Sequence, residues 1–341
     1  MKSVIKKVMA PVAAGLLALS GANAFAAQEL QKKTFCVFDI IGTQGPVFDI
    51  MKDYKLAALN WGVDLDMKAY TDEKIAAEDF KAGKCDAVAV SGLRGRAFNS
   101  FTGTIDSVGS IPTDEHMKVV LQKLASPKLA KYMVNGDYEV AGIAPGGAAY
   151  LFTKDRSIDT VGELSGKKIA ILEFDKSQAV LVESIGGSPV TVSIANVGPM
   201  FNNGSVDVIA APTIAYEALE LYKGLGENGA IVNFALAQLT LQVLIRHAEF
   251  PEGFGQKSRD YVWGQYDRSQ ELIDGANKAI KPSYWLEIPE ADKVGYREMF
   301  RQSRIKLRDM GIYDGTMLTF LSRVRCAMDA SLAECTAKDK E

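Results

Sequence analysis

Apolar and polar positions along the chain change rhythm in one order, and then repeat that order. From Lys33, KTFCVFDIIG is a short β-rich run closed by Gly42. PVFDIMKDYKLAALNWG has helical spacing and stops at Gly62, and VDLDMKAY alternates in part. TDEKIAAEDFKAG opens at Thr71 with acidic neighbours in its first turn and stops at Gly83, so a capped helix is expected. CDAVAVSG is apolar throughout, as a strand covered on both faces would be. From Lys167 the order returns: KKIAILEF as strand, DKSQAVLVESIGG as helix to Gly186-Gly187, SPVTVSIA as strand, NVGPMFNNG as helix to Gly204, and SVDVIAAPT as strand. Two stretches even share spelling. FKAGKCDAVAVSG from Phe80 and FNNGSVDVIAAPT from Phe201 both run Phe, two residues, Gly, two residues, Asp, then small and β-branched residues.

Two β-α-β-α-β units predict an α/β protein with two parallel-sheet domains and right-handed crossovers. Ligands of such sheets sit beyond the carboxyl ends of the strands, and two switch points facing each other make a cleft. YEVAGIAP and AAYLFTKD read as extended segments that cross between the domains, with Gly146-Gly147 as a hinge or tight crossover between them. GAIVNFALAQLTLQVLIRHAEF reads as the return path, and the chain beyond Glu252 is helical and amphipathic. The Arg- and Lys-rich tract ADKVGYREMFRQSRIKLRDMG is expected as a solvated helix face.

The net charge of −3 and the lack of a basic stripe give nucleic acid no electrostatic footing. MKSVIKKVMA, the apolar run after it and the small-residue site Ala24-Phe25-Ala26 form a secretory signal peptide, 1–26, cut after Ala26. A periplasmic protein without stable membrane insertion follows. Cys36, Cys85, Cys326 and Cys335 are an even set in an exported chain, which favours disulfides. Three pairings are open. The closeness of Cys326 to Cys335 favours that pair and leaves Cys36 with Cys85; four buried thiols or a metal site are the alternative. The spacing matches no zinc pattern, and His116 and His247 are the only imidazoles. No metal, nucleotide or other cofactor is expected.

The run from VGELSGKKIAILEF to VDVIAAP resembles the second domain of periplasmic solute-binding proteins of TRAP transporters (the DctP-like family). Leu164-Ser165-Gly166-Lys167-Lys168-Ile169, Gly186-Gly187-Ser188-Pro189-Val190 and Phe201 to Val208 carry the resemblance. It is clear over roughly residues 140 to 245 and topological over the first unit. It implies the bilobal periplasmic-binding-protein fold with a helical C-terminal region. Domain I is expected over 27–145 plus 236–341, and domain II over 146–235. It further implies a non-enzymatic protein that captures a small organic molecule, a carboxylate or other polar metabolite, and delivers it to membrane transporter subunits. One departure stands out. The family's carboxylate-clamping Arg after Lys-Ile is replaced by Ala170, and Arg94 or Arg96 is the candidate replacement cation from the opposite wall.

Each candidate ligand-binding residue lies just after a strand. Unit one offers Asp39, Thr43, Gln44, Ser91 and Arg94, with the Thr43-Gln44-Gly45 helix start as an anion site. Unit two offers Glu173, Asp175, Ser177 and Gln178, then Pro212, Thr213 and Tyr216. Ser177 also reads as a helix N-cap, and Tyr150 and Phe152 as core or ligand-packing aromatics. Glu173 and Asp175 suit a cationic or polyhydroxyl ligand better than an anion. Two other classes stay open: an exported enzyme using those two carboxylates, and an envelope or efflux-associated accessory protein that uses the fold as a scaffold.

Overall fold

Both units form the elements their rhythm predicts. The computed structural model describes residues 29–341, so the signal segment lies outside the described residues. Unit one is β1 (Gln31–Phe38), α1 (Pro46–Leu59), β2 (Val63–Tyr70), α2 (Glu73–Lys81) and β3 (Ala87–Ser91). Helix α3 (Asp114–Ala125) and the long strand β4 (Tyr138–Thr153) lead to unit two. That unit is β5 (Lys168–Leu172), α4 (Lys176–Ser184), β6 (Ser188–Val192), α5 (Ile194–Asn202) and β7 (Val208–Pro212). The long strand β8 (Ala230–Arg246) returns, followed by α6 (Phe254–Gly264), α7 (Tyr266–Ala279), α8 (Glu290–Asp309) and α9 (Gly315–Met328).

The strands line up as β2-β1-β3-β8-β4-β7-β5-β6. Within each unit the first strand lies between the second and third and pairs parallel to both. Strands β4 and β8 then join the halves by antiparallel pairing. The two lobes thus share one hydrogen-bonded sheet rather than owning separate ones. The two extended segments expected around Gly146-Gly147 are a single strand. Its register against β8 shifts between Pro145 and Gly147 and again between Ala149 and Leu151, where β8 jumps from Ala237 to Val232. Gly147 there has φ +88°, which a side chain would strain.

The repeated spelling has a repeated physical role. Gly83 and Gly204 both take positive φ, at 76° and 80°, after α2 and α5. Asp86 exchanges two bonds with Thr34: its carboxylate accepts from Thr34 N at 2.7 Å, and its own N–H donates to Thr34 O at 2.9 Å. Asp207 does the same with Lys168, at 2.9 and 2.8 Å. Each Asp therefore ties the entry of a third strand onto its neighbouring first strand, at mid-strand in unit one and at the strand's first residue in unit two. Phe80 and Phe201, three residues before those glycines, are both fully buried.

Local caps correct several expectations. Asp72, not Thr71, caps α2, accepting from Lys74 N and Ile75 N. Asp175, not Ser177, caps α4. Two disulfides form, Cys36–Cys85 between β1 and the turn before β3, and Cys326–Cys335 at the end of α9. The basic face of α8 is not wholly solvated: Arg301 and Arg304 are buried. Arg304 bonds the Glu341 carboxylate and Val108 O, and Arg325 bonds Glu334 and Glu341. That network holds the last residues against the first lobe.

Candidate functional site between the lobes

The strand-end loops of the two units meet over β4 and β8. Three contacts join them directly. Arg96 Nη1 reaches the Asp175 carboxylate at 3.0 Å, with both side chains largely buried. The Arg94 guanidinium lies 3.5 Å above the centre of the Phe174 ring. Lys74 and Glu173 pair more loosely at 3.8 Å. The lobes are therefore held closed.

A cavity of about 370 Å³ lies in this cleft. That size falls within the range of pockets that enclose a small organic ligand. Its wall is mostly hydrocarbon: Ile40, Ile41 and Leu93 from unit one, Leu172 and Ala210 from unit two, and Leu241 from β8. Ala210 shows the open space plainly. It is exposed although it sits mid-strand between buried Ile209 and Ala211, with neighbouring strands on both sides.

The buried charged groups on this wall are already engaged, and only the exposed Asp159 carboxylate has no partner among the described residues. Asp39 accepts from Ile41 N at 2.9 Å and from Val47 N and Phe48 N at 2.8 and 3.1 Å. Its carboxylate thus fills the N-terminus of α1. Gly45 leaves room for it, since a Cβ there would fall 1.8 Å from Asp39 Oδ1. Asp175 binds Arg96 and accepts from Ser177 N and Oγ. Asp106 accepts from Thr240 Oγ1 at 2.7 Å and Thr240 N at 3.2 Å. Burial pushes the Asp106 carboxyl up to about 7, against the pull of Thr240 and Arg96 and with some help from Asp175. Glu73, buried under the loop, accepts from Ser91 N at 2.6 Å and pairs with Arg94. Burial raises its pKa above the usual carboxylate range.

The cavity gathers Asp39, Ser91, Asp175, Ser177, Gln178 and Pro212 from the predicted set. The other candidates lie off its wall. Thr43 and Gln44 sit exposed on a turn, and the anion site proposed beside them is occupied by Asp39. Arg94 pairs with Glu73 through Nε and stacks on Phe174, and Arg96 bonds Asp175 through Nη1 while its Nη2 is buried without a partner. Glu173 faces Lys74. Thr213 is buried, and Tyr216 packs in the core near Phe152. Tyr150 packs edge-on against Trp285. Ala170 is buried and lines the cavity, so no cation stands where the clamp would be. His116 and His247 bond Thr113 and Gly136 O, away from the cleft. Among the described residues, no group of His, Cys, Asp and Glu is arranged to hold a metal ion.

Sequence reasoning missed the apolar wall and Asp106. The signal was present in the strand-end loops, where Ile40-Ile41, Leu93 and Ile214 stand in place of polar tips.

Residues 55–340 match the family model described as solute-binding protein AdeT 1/2. The chain belongs to the AdeT 1/2 family of solute-binding proteins. A relative, probable solute-binding protein AdeT1 of Acinetobacter baumannii, is 46% identical over 304 residues, covering 89% of this chain and all of the relative. Probable solute-binding protein AdeT2 of the same organism is 30% identical over 239 residues, covering 68% of this chain and 98% of the relative. The bilobal fold of this AdeT-family chain is that of TRAP periplasmic solute-binding proteins. The one from Desulfovibrio salexigens with bound orotic acid superposes with a TM-score of 0.72 at 14% identity, covering 87% of this chain and 99% of that one. The one from Shewanella oneidensis with bound succinate gives 0.70 at 12% identity, covering 86% and 99%. This AdeT-family chain is thus a solute-binding protein on a TRAP-type frame, and its function is capture of a small molecule in the cleft between the lobes. No described helix is long and apolar enough to cross a membrane.

Proposed function

We propose that the protein is exported by its 1–26 signal segment, works in the periplasm, and presents its closed, loaded form to membrane transporter subunits. Lobe 146–235 closes on lobe 27–145 plus 236–341, and the small molecule is held between them without being chemically changed. The cavity that stays open beneath the Arg96–Asp175 contact carries this reading. An accessory scaffold would have no use for the space and would fill it with side chains. The register shifts in β4 and β8 lie at the proposed lobe boundaries, where a hinge needs its freedom. Two measurements on protein recovered from the periplasmic fraction test the reading. Terminal sequencing should begin at Ala27, and native mass spectrometry should show one small molecule per chain, released unchanged. A chain retained in the cytoplasm, or a bound molecule recovered as a reaction product, would overturn it.

A further inference from the structure

The cavity's chemistry also narrows what it takes. This step rests on the solute-binding reading above. A ligand carboxylate needs a cation or free N–H groups, because a buried charge without a partner is strongly disfavoured. No Lys, Arg or His lines the cavity. Ala170 replaces a cation, Asp39 fills the N-terminus of α1, and Arg94 and Arg96 lie off the wall beside Glu73 and Asp175, with Arg96 Nη2 buried there without a partner. Asp39, Asp106 and Asp175 all lie on the wall, so an anion would approach carboxylates. A cation fares little better in the buried part, since Asp39 and Asp175 are already compensated and Asp106 is bonded to Thr240; the fourth carboxylate, Asp159, is exposed to water. The remaining surface is aliphatic. Among its polar groups Gln178 keeps a free donor. Gln178 Oε1 accepts from Leu172 N at 2.8 Å, which fixes the amide, and its NH₂ has no acceptor among the described residues.

We propose that the cleft selects neutral, mainly apolar small molecules carrying a hydrogen-bond acceptor that the Gln178 amide reads. Hydrocarbon burial drives binding, and the single donor sets orientation. The usual organic-acid ligand is excluded by the wall itself.

Two fluorescent probes with the same rings test this: neutral N-phenylnaphthylamine and its anionic counterpart, anilinonaphthalene sulfonate. The neutral probe should bind one per chain and the sulfonate at least about tenfold more weakly. Octanol should displace the neutral probe, whereas octanoate and octylammonium should not. Ala210→Trp, which fills the cavity, should abolish probe binding while circular dichroism stays unchanged. Gln178→Leu should weaken octanol about threefold or more and leave the probe, a poor acceptor, unaffected. The Gln178→Leu comparison stands by itself if the Trp variant fails to fold. Equal or tighter binding of the sulfonate, or displacement by octanoate or octylammonium rather than octanol, overturns the ligand class and leaves the solute-binding reading intact. The same holds if the protein carries one polar compound per chain and ignores every probe. A chain that binds no probe and carries no small molecule overturns both.

Discussion

Asp106 is the residue whose environment most changes its chemistry. It is 3% exposed, bonded to Thr240, and influenced by the nearby charges of Arg96 and Asp175. Its folded pKa of about 7 lies above the ordinary 3.8, so the folded chain keeps a proton that the unfolded chain gives up. That contribution is complete below the ordinary value and is lost as pH rises toward 7. Asp106→Asn removes the titration. Thermal unfolding of both proteins at about pH 5 and about pH 8 should show wild type losing ground to the variant at the higher pH. An unchanged difference would mean that Asp106 is ionised throughout. Gly92 belongs to the same contact, since a Cβ there would come within 2.2 Å of Thr240 Oγ1 and 2.7 Å of Asp106 Oδ2. Gly92→Ala should therefore lower stability by roughly 1–3 kcal/mol, read by denaturant titration. None of this was legible in the sequence. Asp106 lies in an unremarked loop, and its partner arrives from β8, far along the chain.

Among the elements, the strand-helix rhythm was readable because period and glycine stops are local. Capping was only partly readable. Thr71 and Ser177 have the right chemistry, but Asp72 and Asp175 beside them have the backbone geometry. Apolar cavity wall and apolar core spell alike, which is why nothing in the sequence singles out Leu93, Ala210 and Leu241 as wall residues. The disulfides belong to this scale. Cys36–Cys85 closes a 49-residue separation, and chain entropy assigns such a link roughly 4 kcal/mol. Cys326–Cys335 closes only 9, for roughly 2.6 kcal/mol. Replacing both cysteines of the first pair by alanine should lower unfolding free energy more than the same change in the second. Equal losses in denaturant titrations would show that loop length does not set what each disulfide contributes.

For the whole molecule, closure rests on few contacts. Arg96→Ala leaves Asp175 without its partner in a buried place, which is costly. Opening the lobes relieves that by admitting water. The variant should have a larger radius of gyration by small-angle scattering, and adding Asp175→Asn should partly restore the closed value. No change in either variant would assign closure to the Arg94–Phe174 stack and the strands instead. The sheet's continuity has a further consequence, for the order of assembly. Ala87 of β3 lies opposite Ile245 of β8, and β4 also needs β8 along most of its length. Until residue 246 is available, β3 and β4 keep bare edges of unmade hydrogen bonds, and the AVAV run of β3 is the kind of segment that pairs with strangers. The first unit can be spelled early but cannot be finished early. A chain halted before β8 should be prone to aggregation, and a newly exported chain depends on remaining unpaired until its own return strand arrives.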